Sequence, residues 1–104
     1  MNYYEGLTPL HVAAGAGHLE LLKAIKKETH GKYPKDNEGK TPLEYAAQND
    51  HFEVCKYIVS GLENKNPRDN KGWTPLHRAA RHGNFAICEL IMSIESKDPG
   101  KNDG

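Results

Sequence analysis

Apolar residues recur along this chain at two helical spacings. Leu10, Ala13 and Ala14 stand at i, i+3 and i+4, as do Leu43, Ala46 and Ala47, and again Leu76, Ala79 and Ala80. That spacing lines one face of a helix. A second apolar stripe follows each time: Leu19, Leu21, Leu22 and Ile25, then Phe52, Val54, Cys55 and Ile58, then Phe85, Ile87, Cys88 and Ile91, with charged residues filling the remaining positions. Thr8-Pro9, Thr41-Pro42 and Thr74-Pro75 precede the first stripes. Thr is a good helix N-cap, and Pro loses nothing at the first helical position, where the amide would have no partner anyway. The pattern predicts short first helices over roughly 9–16, 42–49 and 75–82, each followed by a second helix that buries its stripe. Asp36-Asn37-Glu38-Gly39 and Asp69-Asn70-Lys71-Gly72 read as tight turns, because Asp opens such turns well and Gly accepts a positive φ.

These elements return every 33 residues. Columns at Gly6, Gly39 and Gly72, at the Thr-Pro-Leu and Ala-Ala positions, and at Ile25, Ile58 and Ile91 are identical in all three units. A fixed period of this length marks a solenoid, in which each unit buries its apolar face against its neighbours. The alanines let two helices approach closely. The 104 residues fit one domain spanning 1–104, with repeats at approximately 3–35, 36–68 and 69–101.

The run Gly6-Leu7-Thr8-Pro9-Leu10-His11-Val12-Ala13-Ala14, and its counterpart from Gly72 to Ala80, resembles the ankyrin repeat, and the resemblance covers essentially the whole chain. Gly17-His18-Leu19-Glu20 looks like that family's start of a second helix. The resemblance implies an all-α, ankyrin-repeat α-solenoid of L-shaped units, each with two antiparallel helices and an outward β-hairpin finger. It also implies a non-enzymatic protein–protein interaction module that needs no cofactor and binds another protein on a concave face of fingers and first helices. Carried over position by position, the partner-facing residues are Tyr4, Glu5, Leu7 and Val12 in repeat one. In repeat two they are Asn37, Glu38, Lys40, Tyr45, Gln48 and Asn49. In repeat three they are Asn70, Lys71, Trp73, Arg78, Arg81 and His82. The third set joins the only Trp to two Arg, residue types enriched in binding hot spots. The plainer alternative has Trp73 packing along Lys40, with both Arg solvated.

Two departures from the motif stand in repeat two. Glu44 replaces the motif His, which in the family bonds the Thr and neighbouring backbone, so part of that network is expected to be lost. Asp50 replaces the Gly that ends the first helix, and modest strain is expected there, since Asp enters the left-handed region at lower cost than most residues.

Charge and special chemistry change this picture little. Lys and Arg total 14 and so do Asp and Glu, so no net field draws the chain to nucleic acid or to an anionic membrane. No apolar run approaches the ~20 residues of a membrane span. Met1-Asn2-Tyr3-Tyr4-Glu5-Gly6 shows no basic segment followed by an apolar one, so no secretory signal is expected. There is no Cys-x-x-Cys and no His-Glu-x-x-His, and the His51/Cys55 pair alone is no metal site. Cys55 and Cys88 share a column, and neighbouring helices pack about 10 Å apart, beyond the roughly 7 Å a disulfide spans. Both read as free, buried thiols suited to a reducing, intracellular compartment, cytoplasmic or nuclear. No phosphate loop, nucleophile elbow or carboxylate pair suggests catalysis or a small-molecule substrate, and His11 and His77 read as structural. Two rival functions stand: a spacer within a larger array, and nucleic-acid binding through Lys71, Arg78 and Arg81. Asp98-Pro99-Gly100-Lys101-Asn102-Asp103-Gly104 echoes the start of repeat three, and Phe85, Leu90, Ile91 and Ile94 look like an internal unit, so membership of a longer array is expected.

Overall fold

The computed structural model describes residues 6–29, 33–62 and 66–96. Three helix pairs follow one another: α1 (Pro9–Ala16) and α2 (Leu19–Glu28), α3 (Pro42–Gln48) and α4 (Phe52–Ser60), α5 (Pro75–Arg81) and α6 (Phe85–Ser96). Thr8, Thr41 and Thr74 hold extended backbone immediately before the Pro of each first helix. These helices end within one residue of the positions that the Thr-Pro and Ala-Ala spacing predicts. Gly17 closes α1 at φ 78°, and its amide and that of His18 return to the Ala14 and Ala13 carbonyls. This left-handed cap satisfies carbonyls that the helix itself leaves open. Asp50 takes the same position in repeat two at φ 63°, the strained conformation expected for it.

First helices stack on one another, and second helices form the layer behind them. Ala13, Ala14, Ala46, Ala47 and Ala79 are buried where α1, α3 and α5 meet, so the small side chains do permit close approach. Leu10, Leu22, Leu43, Ile58, Ile87 and Ile91 fill the space between the layers. Burial of each such side chain contributes about 1.5–3 kcal/mol relative to exposure. Among the described residues no strand is present. The expected hairpin finger is instead a tight turn, closed in repeat two by Asp36 N–H donating to the Lys40 carbonyl and Gly39 N–H donating to that of Asp36, each 2.9 Å. No helix among the described residues is long and apolar enough to cross a membrane.

The second-helix stripe is not uniformly buried. Leu21 is 51% exposed and Phe85 72%, although both belong to the predicted stripe. Their columns face along the stack, and the end repeats have no described neighbour on that side. Cys88 is half-buried for the same reason, whereas its counterpart Cys55 is buried. Burial pushes the Cys55 thiol up to about 12. We therefore expect a thiol reagent at neutral pH to modify Cys88 in the folded chain and Cys55 only after denaturation, since the thiolate is the reactive form. Equal, rapid labelling of both would contradict this register.

Candidate functional site

One carboxylate organises each described finger. Asp36 Oδ1 accepts from the amides of Glu38 and Lys40, both at 2.9 Å, and Asp69 Oδ1 accepts from those of Lys71 and Trp73 at the same distance. The second oxygen ties the finger to the inner helix behind it. Tyr45 Oη donates to Asp36 Oδ2 at 2.6 Å, and Arg78 Nη2 donates to Asp69 Oδ2 at 3.0 Å. Tyr45 and Arg78 occupy the same column, so two different donors do one job. Adjacent fingers are also joined. Asn70 N–H donates to the Glu38 carbonyl at 2.9 Å, and its side-chain amide donates to that of Asn37 at 3.1 Å. Gly39 lies so close to Asn70 that a Cβ there would collide with it. The row of fingers is held rigid from behind and from the side.

At the motif-His column the repeats differ. His11 Nδ1 accepts from the Thr8 amide at 3.1 Å, so Nε2 carries the proton and donates to the Lys40 carbonyl at 2.8 Å. Burial holds its pKa below the ordinary 6.5, against the opposing effect of the Lys40 carbonyl. Glu44 does not merely lose this network. It turns toward repeat three, where Arg78 Nε donates to Glu44 Oε2 at 2.5 Å while the same guanidinium holds Asp69. The side chains of Glu44 and Asp69 are almost wholly buried, and that of Arg78 is 16% exposed. Two carboxylates thus share one cation. Burial, with the neighbouring Asp69 charge, raises Glu44 to about 7 in spite of Arg78. Burial pushes Asp69 upward too, but its bonds with Glu44, the Trp73 amide, Arg78 and the Lys71 amide outweigh this and hold it at about 2.

Stability therefore depends on pH in opposite senses at the two acids. Glu44's folded pKa exceeds its ordinary 4.5, so its contribution is full below 4.5 and is lost as pH rises toward 7. Asp69's contribution is full above 3.8 and is lost as pH falls toward 2. His11 adds a slope opposite to that of Glu44, which comparison with a Glu44→Gln variant cancels. The stability of the natural chain relative to Glu44→Gln should fall by roughly 1–3 kcal/mol between about pH 4.5 and pH 8. Urea unfolding of both proteins across that window checks it, and a relative gain with rising pH would contradict it.

Tyr4 and Glu5 lie outside the described residues. Leu7 is half-buried and Val12 is exposed at the open end of the row. Lys40 pairs with Glu38 at 3.1 Å and sits over the Tyr45 ring, whose edge meets His11. Gln48 is half-buried, and Asn49 is exposed with its side-chain amide donating to the Gly15 carbonyl at 2.7 Å. Trp73 packs against side chains of its own repeat. The Arg78 guanidinium lies 5.0 Å from its ring centre, and the His77 ring centre lies 5.4 Å away in an edge-on arrangement. Lys71, Arg81 and His82 are exposed, Arg81 one helical turn beyond Arg78 and His82 at the C-terminal cap of α5. Asp36, Asp69, His51 and Asn84 shape this face and were not among the predicted contacts. The Asp columns carried a signal, because each stands nine residues before a side chain able to donate to a carboxylate. No cluster of three metal-binding side chains is found among the described residues.

The family model for ankyrin repeats in three copies matches residues 1–69 and 35–103. No curated protein matches the chain.

Proposed function

Because this chain belongs to the ankyrin-repeat family, whose repeats are generally non-enzymatic protein–protein interaction modules, we propose that it binds another protein on the concave face, with the energy centred on repeat three. The observation that carries this is the setting of Trp73. Its ring is stacked under a guanidinium already held by two carboxylates, while Lys71, Arg81 and His82 are exposed in the same repeat. An aromatic surface fixed in this way loses little freedom on binding, and the exposed Lys71 and Arg81 suit a partner presenting an apolar side chain flanked by carboxylates. Arg78 acts as a positioning residue here, Tyr45 and Lys40 extend the face into repeat two, and Gln48 and Asn49 edge it. Tyr4 and Glu5 would continue the face at the first finger. Two free thiols suit a reducing, intracellular setting.

Trp73→Ala should weaken partner binding by about 2 kcal/mol or more, the usual hot-spot threshold, and leave the helical circular dichroism signal nearly intact. Lys27→Ala, on an exposed second-helix position, should change affinity little. A spacer role predicts no effect of either substitution. Nucleic-acid binding through Lys71, Arg78 and Arg81 predicts a steep loss of affinity for duplexes with salt, and the commitment of Arg78 to Glu44 and Asp69 weighs against it.

A further inference from the structure

We propose that a single proton held between Glu44 and Asp69 locks the Asp69 finger onto the stack, so that the setting of Trp73 is switched by pH. This rests on the concave-face reading and adds to it the regulation of that face. Glu44 comes from α3, Asp69 from the third finger and Arg78 from α5, so three elements of two repeats meet in one cluster. The two acids are hydrogen-bonded to each other as well as to the cation. Two carboxyl groups bond directly only when one of them carries a hydrogen. Arg78 supplies one positive charge, which balances one carboxylate and not two. A proton on Glu44 completes the cluster: it leaves the site neutral and donates to Asp69.

Loss of that proton turns the bond into repulsion between two buried anions. Arg78 cannot follow both, since its Nε is committed to Glu44 and its Nη2 to Asp69. The finger is the part that yields, because α3 and repeat three are held together by buried alanines and by Asn84 on the Ala47 carbonyl. Asp69 Oδ1 holds the Lys71 and Trp73 amides, so its displacement loosens the turn and shifts the indole relative to the guanidinium 5.0 Å away. The same event adds one negative charge to the face and opposes a carboxylate-bearing partner. The other titratable groups on the packed elements are committed elsewhere or exposed. Asp36 is bonded by Tyr45, whose phenol burial pushes further up, and Lys40 pairs with Glu38. His11 donates to the Lys40 carbonyl, and His51 bonds that of Gly15. Lys71 is exposed, and His77 bonds Thr74 with its ring centre 5.4 Å from that of Trp73, so its own titration is followed separately.

Nuclear magnetic resonance of the full 104-residue chain tests this without a partner, so its failure would leave the binding reading standing. Trp73 is the only tryptophan and gives one indole signal. That signal, the Glu44 carboxyl carbon and the His77 ring carbons are followed between about pH 5 and about pH 9. Glu44 should release its proton near pH 7, where burial and the Asp69 charge place it. The indole signal should shift with the same midpoint, and the Lys71 and Trp73 amides should lose exchange protection above it. Glu44→Gln keeps a neutral donor and acceptor in place. It should abolish the indole shift that follows Glu44 and spare any that follows His77. An indole signal that follows the His77 ring alone, a Glu44 carboxyl ionised throughout the range, or a Glu44→Gln chain that retains the full natural transition would each overturn the proposal. Should the Gln variant fail to fold, the coincidence or separation of the midpoints in the natural chain decides.

Discussion

Arg78→Ala should destabilise the fold by about 3–5 kcal/mol, the usual consequence of removing one partner from a buried charge cluster. Arg78 donates to Glu44 and Asp69 through separate nitrogens, and both acids are almost wholly withdrawn from water. Without it, two like charges face each other in a dry site, and the Asp69 finger loses its tie to α5. Glu44 can relieve part of the cost by taking up a proton, so the loss should be larger at alkaline than at mildly acidic pH. Arg78→Lys should recover only part, since an ammonium lacks the planar fork that reaches both acids. Domains of this kind hold only about 5–15 kcal/mol in total, so the Ala variant should unfold in far less urea. A loss below about 1 kcal/mol would mean that the cluster behaves as a solvated surface pair.

Removal of residues 69–104 should have a larger effect still. It leaves Glu44 without Arg78, exposes the alanine face of α3, and takes away Asn84, whose side-chain amide donates to the Ala47 carbonyl at 2.8 Å. A stack of this type draws its stability from interfaces between neighbours, and two units fall below the roughly three such folds require. The 1–68 fragment should be largely unfolded near body temperature. A cooperative thermal transition of the monomeric fragment above that temperature, followed by circular dichroism, would contradict a communal origin of stability.

The helices were legible because their determinants are local. Thr41 and Pro42 start α3, and Leu43, Ala46 and Ala47 set its buried face, all within one stretch of seven residues. What was illegible depends on neighbours. The spacing of Leu21 with Leu22 and Ile25 marks an apolar face, yet whether Leu21 is covered depends on a preceding unit, and it lies open. Glu44 looked like a lost histidine when compared down its own column. Its partner Arg78 stands diagonally, 34 residues on and in a different column, and only the stacked geometry brings them together. Residue type alone marks Arg78 as a contact residue, and only the stack shows that two of its nitrogens bond carboxylates within the chain. The contact of Trp73 with Arg78, on the helix of its own repeat, was likewise not legible from the columns.

Site-specific photo-crosslinking tests the binding face most directly. A photoreactive residue is placed at His82, at the C-terminal end of α5 in the repeat that carries Trp73, or at Lys27 on a second helix, both exposed, in otherwise unaltered chains. The concave-face account predicts that the probe at His82 captures a discrete protein, that excess natural chain displaces it, and that excess Trp73→Ala chain does not. The probe at Lys27 should capture nothing above background. Displaceable capture at Lys27 with none at His82 would place the binding surface on the opposite side of the stack and contradict the account.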